Sequence, residues 1–250
     1  MINFDLVVEL IKSDLKTKYK NSILGFLWII FEPLFLMFII YIVFNRFMRF
    51  NMKNYPLFIL SGTTLWRFFV NTTSQSLHLF YRNRELVLKV KIDRLILPLS
   101  LVISNLIITF FEYLIYIIFY IIVTKSFPLV FLSFIPYIIV FSFFLFGLST
   151  ILSVTYVFFR DIKAGWEILV QALFFLCPIF YPFEYVPYNF IHIYLLNPVA
   201  VYIIGIQNIL FYSTFPDTTV IINSLFFSII FSLFGYLFFN IFEDRMVKSL

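Results

Sequence analysis

The chain is poor in cysteine, glycine, histidine and charge. Of 250 residues, one is Cys, six are Gly, two are His, and only 12% are Asp, Glu, Lys or Arg. The lone Cys177 excludes an internal disulfide and any multi-cysteine metal cage, which leaves it as packing filler without a redox role. The glycines, Gly25, Gly62, Gly147, Gly165, Gly205 and Gly235, nowhere approach the spacing and following Lys of a phosphate-cradling loop, so no ATPase is expected within the chain. His78 and His192 have no Cys or carboxylate at ligand spacing, and no metal site is expected. Residues 1–20, MINFDLVVELIKSDLKTKYK, lack a basic segment leading into a short apolar one. They do not read as a cleavable signal peptide, and a retained N-terminus is expected.

What is abundant is apolar. Hydrophobic residues make up 62% of the chain, with 38 Phe and 16 Tyr, too much to be coated by the available polar surface in water. A bilayer core about 30 Å thick takes roughly 20 apolar helical residues per span. The long runs lack the period-two alternation of a barrel, so helices are the only remaining spanning backbone. The expected fold is all-α integral membrane, with six transmembrane helices at 26–45, 57–80, 95–123, 130–152, 166–182 and 219–241.

Charge placement orients these spans. With both termini cytoplasmic, Lys12, Lys16, Lys18, Lys20, Arg82, Arg84, Lys89, Lys91, Arg94, Arg160, Lys163, Arg245 and Lys248 lie inside. Arg46, Arg49, Lys53 and Lys125 lie outside, and Arg67 falls within a span. Thirteen against four satisfies the positive-inside rule, and the net charge of +5 reflects topology rather than nucleic-acid binding. From Pro178 to Asp217 there is no Lys or Arg, and five prolines divide an aromatic-rich run. Asn197-Pro198 reads as a helix cap followed by Pro at the first helical position. The pieces at 188–196 and 198–212 are short, so 183–212 is expected to dip into the outer leaflet as two short re-entrant helices; a seventh span through 198–215 is the competing reading, and it would place Arg245 and Lys248 outside, against the charge bias.

Residues 1–22 form an amphipathic segment, Phe4, Val8, Ile11, Leu15 and Tyr19 sharing helical spacing. A membrane-surface anchor and a docking element for a cytoplasmic partner both fit it. At 82–94 the basic residues are mixed with spaced apolar ones. Glu85 and Lys89 sit four apart with the acid first, which supports a short helix, and Leu86 and Val90 share a face. Arg84, Glu85, Leu86, Lys89, Val90 and Lys91 are therefore candidates for contact with a partner's groove; a simple topogenic loop is the other reading.

Five stretches carry a family resemblance in order: SDLKTKYKNSILGFLWIIFEPL (13–34), YPLFILSGTTLWRFFVNTTSQS (55–76), NRELVLKVKIDRLILPLS (83–100), FRDIKAGWEILVQALFFLCPIFYP (159–182) and YLLNPVAVYIIGIQNIL (194–210). The chain resembles the type-2 ABC exporter permeases, in the branch that moves lipid-linked O-antigen, teichoic acid and capsular polysaccharide. The resemblance implies a homodimer of this chain in a bacterial cytoplasmic (inner) membrane, with two copies of a separate ABC ATPase subunit below. ATP and Mg would be bound by that partner, leaving no cofactor in this chain. It further implies that 83–94 is the coupling helix, 1–20 the interface helix and 183–212 the external gate helices. Lipid-linked polysaccharide, O-antigen first, is the implied substrate.

Ionisable residues inside a span are functional candidates, because a charge there costs about 2.5–3.5 kcal/mol on insertion scales. Glu32, Arg67 and Glu112 qualify, and Glu32, which precedes Pro33, is placed either to hold the backbone region that Pro33 frees or to pair with Arg67. The second span carries Thr63, Thr64, Asn71, Thr72, Thr73, Ser74, Gln75, Ser76 and His78, which serve either close helix packing or a hydrated cavity. Phe31, Phe35 and Phe38 form a stripe at helical spacing, and Tyr181, Phe183, Tyr185 and Tyr188 crowd the outer end of the fifth span. Aromatic planes suit the C–H faces of sugar rings, and these seven are substrate-path candidates. Lipid and core contact is the plainer reading, whereas the resemblance implies a pore lined by aromatics from the first and fifth spans. An enzyme that processes glycolipids in the membrane would need clustered acids, His or Arg at one interface, and the acids here are scattered singly.

Overall fold

The computed structural model describes residues 4–19, 28–43, 52–90 and 92–250. Among them all regular structure is helical, in α1 (Phe4–Tyr19), α2 (Trp28–Tyr41), α3 (Tyr55–Leu77), α4 (Leu79–Arg82), α5 (Arg84–Lys89), α6 (Ile96–Thr124), α7 (Phe134–Phe158), α8 (Ile162–Leu176), α9 (Ile191–Tyr194), α10 (Pro198–Leu210) and α11 (Thr218–Ser249). Single-turn 3₁₀ segments precede α7 and lie between α8 and α9.

α3 is the axis around which the rest is built. Asn54, in the left-handed conformation at φ 57°, turns the chain into it, and Pro56 occupies its first turn, where a missing N–H costs nothing. Nearly its whole length is buried against α2, α6, α7 and α10. Most of its threonines and serines satisfy themselves locally, Thr72 Oγ1 being buried without a hydrogen-bond partner among the described residues. Thr63 and Thr64 hydroxyls donate to Ile59 and Leu60 carbonyls at 2.9 Å, Thr73 to Phe69 at 2.8 Å, and Ser76 to Thr73 at 2.6 Å. This back-bonding removes the need for water and lets the helix sit inside protein, so the packing reading of the second-span polar residues fits better than a cavity lining.

α7 and α11 pair more extensively than any other two helices. Two glycines explain the closeness: a Cβ on Gly147 would run into the backbone of Phe231, and one on Gly235 would meet the backbone of Gly147. Small residues at a crossing let helix backbones touch where no hydrophobic force acts between them.

Among the described residues three segments are long and apolar enough to cross a membrane: Ile96–Thr124, Leu129–Phe158 and Thr218–Ser249. α3 has 23 residues but carries its polar groups and Arg67. α8 has 15 residues and ends before Cys177-Pro178, earlier than the 182 drawn from sequence. The ends of the 26–45 segment lie outside the described residues, α2 supplying 14 of them with Pro33 inside. α10, at 13 residues, is about 20 Å long at 1.5 Å per residue, well short of the bilayer core. It is nonetheless almost wholly buried among α3, α7 and α11. Its cap is the one anticipated: Asn197 Oδ1 accepts from Val199 N at 3.1 Å and Ala200 N at 3.4 Å, with Pro198 following. The piece expected at 188–196 is only a turn, Tyr188–Phe190, leading into the four-residue α9.

The segment at 82–94 also differs from a continuous helix. α3 breaks at His78, α4 and α5 are short, and Val90 is extended, so the helical part is only Arg84–Lys89. Helical pairing of Glu85 with Lys89 is present, but six residues complete only one and a half turns.

Candidate functional site

Halfway along α3, Arg67 meets two acids from two other helices. Its Nη2 lies 2.8 Å from Glu32 Oε2 on α2 and 3.3 Å from Glu112 Oε1 on α6. Glu112 and Arg67 are buried, whereas the Glu32 side chain is 63% exposed. The Glu32–Arg67 pair agrees with the sequence expectation. Glu112 had been singled out as an ionisable group, but its convergence on the same guanidinium depends on how α6 is rotated against α3, which no spacing along one helix encodes.

The aromatic candidates divide by environment. Phe31, Phe35 and Phe38 are 50%, 67% and 55% exposed, on the same side of α2 as Glu32, while Pro33 and Ile40 face the core. Beyond α8, the Tyr181 hydroxyl donates to the Phe175 carbonyl at 3.1 Å and pairs with the Tyr194 hydroxyl at 2.9 Å. The Phe183 ring lies 5.8 Å from that of Tyr194. These contacts fix Tyr181 and Phe183, whereas Tyr185 and Tyr188 project outward. No residue of α8 is buried; Trp166 reaches back toward Phe69, with ring centroids 6.0 Å apart.

At the other end of α3 the charged segment is held by one apolar rivet. Val87 is fully buried beside Leu79, Phe80, Leu97 and Met246, and Leu86 packs partly against the same cluster. The apolar residues left outward are Leu88 and Val90, beside exposed Arg84, Glu85 and Lys89. Lys91 lies outside the described residues. Lys89 Nζ bonds Glu85 Oε2 at 3.2 Å. Arg94 Nη1 reaches Glu243 Oε1 on α11 at 2.6 Å, which ties the segment to the last helix. An outward face of Leu86 and Val90 was expected; the helix start at Arg84 instead turns Val87 and, in part, Leu86 inward and exposes Leu88.

α1 is locked to this segment through Asp14. Its Oδ1 lies 3.0 Å from Arg82 Nη2, and its Oδ2 lies 3.9 Å from Lys18 Nζ. Lys18 Nζ in turn donates to Asn105 Oδ1 on α6 at 2.7 Å. Burial lowers the Lys18 ammonium to about 8, with Asp14 opposing the shift and Arg82 adding to it. Beside these groups is a cavity of about 260 Å³ lined by Leu10, Ser13, Asp14, Thr17, Arg82 and Asn83, among others. The sequence signalled α1 by its amphipathicity alone; residues 68 positions apart, such as Asp14 and Arg82, leave no local trace.

Among the described residues no three His, Cys, Asp or Glu side chains gather as a metal cluster would. The arrangement comprises a basic knob with outward apolar residues, tied to helices α1 and α11, and an aromatic face interrupted by a carboxylate.

Residues 5–211 match the ABC-2 type transporter family. The chain belongs to that family. Two relatives from Klebsiella pneumoniae, each named an O-antigen export system permease protein, are 33% and 30% identical to it over 198 and 220 residues. Both alignments cover 79% of this chain and 76% of the relative. A protein of the same name from Myxococcus xanthus is 33% identical over 101 residues, 40% of this chain and 39% of the relative. The chain is thus a membrane protein of the ABC transporter class, and membership implies an ATPase partner. The family match, from residue 5 to 211, takes in α1 from its second residue, the charged segment and α10.

Proposed function

We infer that this chain is the permease subunit of an ATP-driven exporter of lipid-linked polysaccharide, O-antigen before teichoic acid or capsular polymer. The observation that carries this is the match to O-antigen export permeases across 79% of the chain. Two copies form the route through a bacterial cytoplasmic membrane, each with six spans and both termini cytoplasmic. α2, α3, α6, α7, α8 and α11 are those spans, and the buried α10 with the turns before it is the external gate. A helix that is buried but too short to cross fits the rule that interrupted backbone at membrane depth is surrounded by protein.

No covalent chemistry is assigned to the chain. A separate ATPase subunit closes on nucleotide and pushes on α5, whose Val87 is seated in the core formed with α4, α6, α7 and α11. The push reaches α6 and α11 through that core and through Arg94–Glu243, and it reaches α1 through Arg82–Asp14. Leu88 and Val90 are the groups offered to the ATPase groove. Replacing both with Asp puts two charges into that groove while leaving Val87 seated. In cells lacking the native chain, the Leu88→Asp, Val90→Asp variant is expected in the membrane at normal amounts, without co-purifying ATPase and without surface O-antigen. Retained ATPase and normal export overturn the assignment.

A further inference from the structure

We propose that Glu32, held by Arg67, which Glu112 engages from the other side, is a hydroxyl-accepting station in the transport path that favours neutral, hydroxyl-rich glycans and disfavours polyanionic ones. The proposal rests on the export reading and specifies its substrate class.

The position of the carboxylate is the first reason. Arg67 is near the centre of α3, and Glu112 is sixteen residues into the 29-residue α6, about 24 Å along it. Glu32, bonded to the same guanidinium nitrogen, is therefore near mid-membrane, with its side chain 63% exposed. A carboxylate at that depth is not turned toward lipid tails. The face of α2 that bears it meets either water or a polar group of a second copy, and it is assigned to the water-filled path.

The second reason is the charge of the cluster. Glu32 presents its carboxyl outward while Arg67 is shared with the buried Glu112; with both carboxyls ionised the cluster carries −1, or −2 across two copies. Arg67 engages one oxygen of Glu32 and keeps that group an acceptor, with lone pairs left over. Its complement is a donor such as a sugar hydroxyl. Phosphate or uronate passing the same point meets like charge in a medium that screens poorly.

The third reason is the neighbourhood. Phe35 follows Glu32 by three residues, a distance at which helix side chains are neighbours. Phe31 and Phe38 extend the same exposed face. An aromatic plane for the C–H face of a pyranose beside a carboxylate for its hydroxyls gives contact that tolerates successive sugars without reading one sequence. Phosphate-rich teichoic acid and acidic capsules fit this station poorly, and an uncharged O-antigen fits it well.

The test separates the station from the export reading. Cys177 is fully buried, so Phe35→Cys supplies the reactive thiol, titrated in membranes with cationic and anionic thiosulfonates that do not cross lipid. The expected result is labelling from water, with the cation faster by about ten-fold, and loss of that preference in Phe35→Cys combined with Glu32→Gln. Failure to label, or labelling without charge preference, overturns the station whatever the substrate is. In a second arm, cells lacking the native chain are supplied with its ATPase and with a neutral or a uronate-bearing lipid-linked glycan, and surface polymer is measured. Wild type is expected to export the neutral polymer preferentially, and Glu32→Gln to narrow the ratio about ten-fold at unchanged membrane abundance and dimer yield. Loss of the dimer in Glu32→Gln makes Glu32 an interprotomer contact and overturns the proposal. Charge-selective labelling with export of neither polymer leaves the station standing and overturns the export reading.

Discussion

Arg67 shows how much a single residue can hold together. It joins α2, α3 and α6 through one guanidinium, and removing that guanidinium leaves two carboxyls without their cation, a loss of about 3–5 kcal/mol for a buried ion pair broken from one side. Arg67→Met is therefore predicted to lower thermal stability in detergent substantially, and Arg67→Met with Glu112→Leu to recover much of the loss, since only the exposed Glu32 is then unpaired; equal destabilisation of both would contradict the pairing. Lys18 gives a pH-dependent counterpart. Its docked pKa is about 8 against an ordinary 10.5, so between these values the undocked helix binds a proton that the docked one has released. Docking of α1 should therefore strengthen as pH rises from about 8 to 10.5, with the full penalty present below 8. Protease cleavage within α1 should slow across that window in wild type, and Lys18→Met should flatten the response. The Glu32–Arg67 pair was legible from sequence because an in-membrane charge needs a partner. Glu112 and Lys18–Asn105 were not, since they depend on the rotation of one helix against another.

At the scale of elements, sequence periodicity located helices well where burial follows from composition and poorly where context decides. α6, α7 and α11 announce themselves as long apolar runs, and Asn197-Pro198 marks the start of α10 by cap chemistry alone. The charged segment is different: Arg84–Lys89 is too short to establish a face of its own, and the core contact of Val87 sets its rotation. α8 likewise ends at Leu176 because Pro178 prevents continuation toward 182. The α7–α11 seam turns on Gly147, whose significance no pattern in α7 reveals. Gly147→Leu is predicted to force these helices apart, with most of the protein lost from the membrane or aggregated in detergent. Gly165→Leu, where a Cβ meets nothing within 4 Å, should be tolerated on that measure. Wild-type yield from Gly147→Leu would contradict the close crossing.

For the whole molecule, a consistent division of labour follows. The buried part of the chain is a frame of α3, α6, α7, α10 and α11 fastened by local hydroxyl bonds and glycine contacts. On the proposed reading the outward faces of α2 and α8 would take a second copy and a passing polymer, and α1 with α5 would meet the ATPase partner. The most direct test of that account is reconstitution of the purified chain in liposomes with and without its ATPase subunit. Inward-facing lipid-linked glycan should reach the opposite leaflet only with ATP and both proteins present. Nucleotide hydrolysis by this chain alone, or ATP-independent translocation at the same rate, would contradict it.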